Sequence, residues 1–591
     1  MTTSQPAKLE WKWGLLSALF IALLATYPQL HLLVELGSSA QGAYAYFDTD
    51  EVAYSAYLQA LIDGRPRRND PFSCSDLAGK QLSESLFSVQ FLTPYFLAVP
   101  ARLFGLSATT VFILLMPLVG ATTALALFWL LAQITNDNKL AAVGVIVVLC
   151  LATMASGQGL IRALAGFKPL WSYMPFLRRY TPAVGFPFFF LMFSMLWRAI
   201  RIPDRKYIWR ALGTGLIISF LVYSYFYLWT AALAWLGCVA IVWLIVRPEG
   251  WQRCLWSVVI AGGVSILAII PYLILLSNRA VNTDQVTILE STRSLDLIQP
   301  SELVAICVLI ICGLLKWKRK LASDGTVLFA ISLLILPFAV FNQQLISGFS
   351  MQPFHYEEFV TSYCVLIAIL ILLPALFRAM DWRISTRVLF WIGVISIAYG
   401  ANSASAISRA ALPDNITRDR TLGVARYLKS HSSSGLILPV DLVQAEALPT
   451  SLKQPVLWAV HSSVFPGVSV SELRERYYQY LFYSGISASD LRKLLEAKNH
   501  VAFVAVFGYE REVNNFGRAF VPVSDAEIQE QVSLYDNYVI SMSKTVVAKY
   551  PLQWLIVPKD SNFSYSAIDR WYERSESKEV ANFLVYRLRL R

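Results

Sequence analysis

The sequence predicts a polytopic α-helical membrane protein of about eleven spans with a C-terminal extracytoplasmic α/β domain. Three observations predict it. Apolar residues make up 56% of the 591 and charged residues only 15%, where a soluble protein averages about 25% charged. The charge is unevenly spread: Leu412–Arg591 holds 21 Lys+Arg and 19 Asp+Glu, so most of the net +11 lies before it. Finally, apolar runs recur along the first 400 residues at close to the ~20 residues that a bilayer crossing needs. This composition excludes a disordered chain, a collagen and a disulfide scaffold. A basic excess in a membrane body marks cytoplasmic loops, so membrane lipid is the expected partner and nucleic acid is not.

The runs lie near 14–34, 108–134, 140–156, 184–200, 208–228, 230–246, 255–276, 302–315, 326–341, 359–377 and 388–402. The positive-inside rule orients them. Compact basic connections occur at Lys8 and Lys12, at Arg198–Arg210, at Arg247 and Arg253, at Lys316–Lys320, and at Arg378, Arg383 and Arg387. All fall on one side only if the candidate at 85–104 does not span. That segment carries Gln90, Pro94, Pro100 and Arg102 and reads as an amphipathic helix lying at the interface. The N-terminus is then cytoplasmic and the tail extracytoplasmic. The first run, at 21 residues, is longer than a signal-peptide core. Residues 1–411 form the transmembrane body, with a first outer loop at 35–107. Residues 412–591 form the soluble accessory domain. The seven cysteines all lie in the body without a C-x-x-C pair, which signals neither zinc nor redox chemistry.

The outward connections are long, at about 35–107, 157–183, 277–301 and 342–358, and long loops are usually functional. The first opens with Tyr44-Ala-Tyr-Phe-Asp48-Thr-Asp50-Glu51, three carboxylates within four residues. Carboxylates beside a membrane are costly unless they bind something or face water. Glu51–Ile62 reads as a short helix ended by Asp63-Gly64. Two compatible readings follow: Asp48 or Asp50 caps that helix while Glu51 favours its dipole, or the group performs chemistry.

The D-T-D-E segment, the following Tyr54-x-Ala-x-Leu-x-x-Leu-Ile-Asp-Gly64 and the interfacial segment ending Leu103-Phe104-Gly105 resemble the GT-C class of integral-membrane glycosyltransferases. That class includes protein O-mannosyltransferases and the bacterial aminoarabinose transferase. A Lys-Pro-Pro run typical of the aminoarabinose-type enzymes is not present before the interfacial helix. The resemblance implies transfer of a sugar from a polyprenyl-phosphate donor to a glycan, lipid or protein acceptor. It also implies an Asp general base in the first loop. Asp50 matches best because it begins the Asp-Glu pair, Asp48 is the second candidate and Glu51 an assisting neighbour. An inverting transfer needs one base for the acceptor hydroxyl. Phosphate leaves without the second acid that glycoside hydrolysis requires.

The leaving phosphate calls for cations. Among the outward arginines the order of candidates is Arg178, Arg179 and Arg279, since guanidinium suits bidentate phosphate contact. Contact with anionic lipid head groups is the other reading. The fourth loop gathers Gln352, His355, Tyr356 and Glu357 at the start of a span. These are candidates to bind the substrate, or a divalent metal through His355 and its carboxylate neighbours. No second His sits at ligand spacing, and an interfacial helix cap accounts for the same residues.

In the tail, helices at Thr417–Ser430, Ser469–Phe482, Ser487–Lys498 and Asp525–Tyr538 alternate with strands at Gly435–Val440, Gln454–Val460, Val501–Phe507, Leu552–Val557 and Ala581–Arg587. Alternation of this kind implies an α/β domain. Asp441, His461 and Glu472 could reach the catalytic loop, and each also reads as structural. Asn415 and Asn562 lie in Asn-x-Ser/Thr sequences. The leading expectation is a membrane glycosyltransferase in the plasma (inner) membrane of a bacterium. A lipid or sugar transporter or flippase is the alternative; such proteins commonly show internal repeats and broken helices at the midplane, and no convincing repeat is found. A third reading is a non-catalytic envelope-assembly scaffold.

Overall fold

The computed structural model describes residues 8–169, 174–287, 289–382, 385–431, 435–512 and 521–591; Arg383, counted above among the basic connections, lies outside them. Nine helices among the described residues are long and apolar enough to cross a membrane. They are Trp11–Ser39, Ala108–Thr135, Asn138–Ala155, Phe226–Val246, Trp251–Ser277, Pro300–Trp317, Gly325–Ser347, Pro353–Ala379 and Thr386–Lys429. The runs expected near 184–200 and 208–228 are helices too, Phe186–Arg201 and Tyr207–Val222, of 16 residues each. At 1.5 Å per residue each is roughly 24 Å long, short of a ~30 Å hydrocarbon core. The charged stretch Arg198–Arg210 and the break at Tyr223–Tyr225 account for their ends. The segment at 85–104 forms two short helices, Leu86–Val89 and Leu92–Leu103.

The chain divides into two compact units. The first comprises Met1–Leu30, Phe112–Ile274 and Ser291–Ala410. Its core is aromatic: Phe193 and Phe329 pack edge-on against the buried Trp235, whose indole donates to Ser332. The second comprises His31–Val111, Leu275–Glu290 and Ala411–Arg591. The first outer loop therefore packs with the C-terminal stretch.

The physical reason lies in the loop's own residues. Phe87 stacks on Phe465 with ring centroids 4.7 Å apart, and Phe72 and Tyr57 flank Phe465 at 5.7 and 6.3 Å. Asn282 donates to the carbonyls of Ser463 and Phe465 at 2.8 and 3.0 Å. Arg67 holds Glu84 through two bonds of 2.6 Å, and Arg65 pairs with the buried Asp76. Gly467 lets this packing close: a Cβ there would lie 2.1 Å from Asp70 Oδ2.

The C-terminal stretch carries a five-stranded sheet of β1 (Leu436–Pro439), β2 (Leu552–Pro558), β3 (Tyr572–Arg574), β4 (Lys578–Val580) and β5 (Phe583–Leu590). β1 and β2 run parallel, with Leu438 opposite Leu555. β2 and β5 are antiparallel, with Ile556 opposite Val585, and β3 and β4 pair with different stretches of β5. Two expected strands differ. Val501–Phe507 lies in a helix, His500–Phe507, whose first turn is capped by the Asn499 side chain on Ala502 N–H. Gln454–Val460 makes only a single bridge, Val456 to Ile437, because Val456 N–H turns to the Phe72 carbonyl of the outer loop.

Candidate functional site

In the second unit the three loop carboxylates have different surroundings. Glu51 is fully buried. Its Oε1 accepts from Tyr44 O–H at 2.8 Å and its Oε2 from the N–H groups of Phe47 and Asp48 at 2.5 and 3.1 Å. A carboxylate out of water needs such partners, and here they fold residues 44–48 over the start of the helix Asp50–Ile62. Asp48 Oδ1 accepts from Asp50 N–H at 2.7 Å, satisfying one donor of the helix's first turn. The other end is closed by Gly64 at φ 89 and by Arg102, which donates to the carbonyls of Leu61 and Ile62.

Asp50 is arranged differently. Its side chain is half exposed, and its Oδ1 lies 3.5 Å from His461 Nε2. His461 stands on the turn Val460–Val464, and Glu446 from the helix Leu442–Ala447 grips it twice. Glu446 Oε1 accepts from the His461 backbone N–H at 3.0 Å, and its Oε2 is 2.5 Å from Nδ1. Phe72 lies beside the imidazole at 6.4 Å. Burial alone would favour the neutral ring. The Glu446 charge and the contacts with Asp50 outweigh it and raise the His461 pKa to about 10.

The loop before the helix is held from the C-terminal stretch as well. Asp419 accepts from the N–H groups of Gln41 and Ala43, and Asn415 exchanges two hydrogen bonds with the backbone of Tyr46. Arg279, a phosphate candidate, belongs to this unit and is held by Asp284 through two bonds of 2.5 and 2.8 Å. Asp441 caps the helix that carries Glu446, and Glu472 pairs with Arg476. Of the three tail residues singled out in the sequence, His461 alone is paired with Asp50. Glu446 was not singled out, and nothing in its spacing marks it.

The remaining candidates lie in the first unit. The Arg178 guanidinium lies over the Phe359 ring at 5.8 Å, and the His355 imidazole stacks on the same ring at 5.2 Å. Tyr227 packs on His355 at 4.6 Å and donates to Gln352 Oε1 at 3.1 Å. Tyr356 O–H lies 2.8 Å from Thr230 Oγ1. Arg178, His355, Gln352 and Tyr356 therefore share one cluster. Glu357 instead accepts from Ser301 N–H and O–H at 2.9 and 2.5 Å, which caps the helix Pro300–Trp317. Arg179 is buried and donates to the carbonyls of Leu177 and Ala25. Among the described residues no group of three His, Cys, Asp or Glu side chains is placed to hold a metal ion.

No protein-family model matches the sequence, and no curated protein matches it. Solved structures do. An Archaeoglobus fulgidus oligosaccharyltransferase tethered to an acceptor peptide is 10% identical, with a TM-score of 0.39 over 98% of this chain and 74% of that one. The oligosaccharyltransferase AglB of the same organism, in complex with an inhibitory peptide and a dolichol-phosphate, is 12% identical, with a TM-score of 0.28 over the same shares. Scores this low say nothing of activity, which rests on the residues of the site.

Proposed function

We propose that the protein is a GT-C-type glycosyltransferase that moves a sugar from a polyprenyl-phosphate donor to an acceptor hydroxyl on the extracytoplasmic face of the membrane. Asp50 is the general base. The observation that carries this reading is the division of labour among the loop carboxylates: Glu51 and Asp48 hold the backbone, while Asp50 stays half exposed beside a cation. The acceptor oxygen attacks the anomeric carbon, and its proton passes to the Asp50 carboxylate. The bond from that carbon to the phosphate oxygen breaks with its electron pair going to the phosphate, and configuration inverts. Arg178, Arg179 and Arg279 are kept in that order as candidates for the donor phosphate, because guanidinium suits bidentate phosphate contact, and His355, Gln352 and Tyr356 as candidates for contact with a sugar.

The test uses the full chain in proteoliposomes with a panel of polyprenyl-phosphate-linked hexoses and pentoses. A bacterial envelope extract serves as acceptor, with and without EDTA. Acceptor-dependent release of polyprenyl phosphate together with a covalent glycosylated product is expected; a loss of both in EDTA would add a divalent metal. Sugar movement across the bilayer without a covalent product would refute the reading and favour a transporter.

A further inference from the structure

Asp50 lies at the first turn of the helix Asp50–Ile62, with its side chain half exposed. A base that rotates freely loses the alignment on which general-base catalysis depends. One neighbour that meets it, His461, comes from more than 400 residues along the chain.

We propose that His461, clamped by Glu446, is the positioning residue of Asp50, so that the C-terminal stretch completes the site begun by the first loop. The inference rests on the reading of Asp50 as the base.

Four observations support it. Glu446 holds both the backbone N–H of His461 and its Nδ1, which fixes the place and the tilt of the ring. The opposite nitrogen, Nε2, then faces Asp50 Oδ1. The turn that carries His461 is pinned by Asn282 on the carbonyls of Ser463 and Phe465, and by Phe465 in its aromatic stack with Phe87. The Glu446 helix is itself capped by Asp441. The chain thus supports the imidazole from two sides before it reaches the carboxylate, the arrangement in which a residue behind the reacting group controls its geometry.

The charge state decides between two roles. The groups that act on the ring are Glu446 and Asp50. The Glu446 carboxylate and Asp50 raise the His461 pKa well above neutrality, so the ring is protonated near pH 7.5. The ring is therefore a standing cation and not a second base that relays the proton onward. A fixed cation beside Asp50 keeps the carboxylate ionised down to lower pH, which ensures that it is ready to accept a proton.

The experiment compares wild type with Asp50→Asn, His461→Gln and Glu446→Gln in the proteoliposome assay, with the panel donor of highest wild-type turnover. Each variant is checked for a wild-type elution profile and limited-proteolysis pattern. His461→Gln is expected to lower kcat about 10–100-fold with donor KM within about 3-fold. It should also move the acid limb of the kcat/KM profile about one pH unit higher. Glu446→Gln, which keeps the shape of the clamp, should move both readouts in the same direction by less, and it stands in if His461→Gln does not fold. A loss of kcat without displacement of the acid limb in either variant would mean a merely structural role and overturn the inference. So would wild-type kcat in a folded variant while Asp50→Asn is inactive. Full activity of Asp50→Asn would instead overturn the base assignment itself.

Discussion

The clamp on His461 makes a stability prediction that needs no substrate. Its perturbation is His461→Gln, which keeps polarity and removes the cation. The ring's pKa rises from an ordinary 6.5 to about 10 in the folded protein. At about 1.36 kcal/mol per pH unit this difference corresponds to roughly 5 kcal/mol. Asp50 is half exposed and water screens its share, so about 2–3 kcal/mol is expected. The sign follows from linkage. Because the folded-state pKa is raised, the contribution is fully present below pH 6.5. It shrinks steadily above that and is gone once the pH passes about 10. Pulse proteolysis in urea on the detergent-solubilised full chain, at pH 6, 7.5, 9 and 10.5, measures it by following cleavage within the C-terminal stretch. Wild type should exceed His461→Gln most at pH 6 and least at 10.5. A difference that stays flat over this range, or grows with pH, would refute the charged clamp.

Other outcomes follow from the same geometry. Asp48→Asn keeps the acceptor for Asp50 N–H and should leave stability nearly unchanged, whereas Asp48→Ala should cost about 1 kcal/mol, read from the same proteolysis. Glu51→Ala strands the N–H groups of Phe47 and Asp48 in a buried place and should cost about 2–4 kcal/mol. Gly467→Ala would drive a Cβ to 2.1 Å from Asp70 Oδ2 and 2.3 Å from Ser75 Oγ; a loss of about 3 kcal/mol, seen as cleavage of the first loop, is expected. Asn415→Ala removes both bonds to Tyr46 and should cost about 2 kcal/mol, which marks this Asn-x-Thr residue as a structural side chain.

Much of the body was legible because hydropathy over 18 or more residues has few competing explanations. Its limits show at Tyr207–Val222, where the apolar run continues to about 228 but the helix does not. The helix after Asp50 was legible down to its end, since Asp63-Gly64 demands the left-handed turn that Gly64 adopts. Val501–Phe507 was not, because a seven-residue apolar run with Val at alternating positions fits a strand and a buried helix equally. Within the site, the roles of Asp48, Glu51 and Asp50 look alike in sequence, and only burial separates them. His461 was one of three tail candidates with nothing to set it apart, and its partner Glu446 was hidden for a different reason. Fifteen residues separate them, no motif joins them, and their relation to Asp50 exists only once the outer loop packs on the C-terminal stretch. Glu357 illustrates the converse: a polar residue in a promising cluster whose carboxylate is committed to the helix start at Ser301.

The most direct test of the central claim is donor turnover by Asp50→Asn against wild type in the same proteoliposomes, with Asp48→Asn as the control for loop integrity. The account predicts at least a 100-fold fall in polyprenyl-phosphate release for Asp50→Asn, with the folded state intact and Asp48→Asn close to wild type. Wild-type turnover by Asp50→Asn would contradict it.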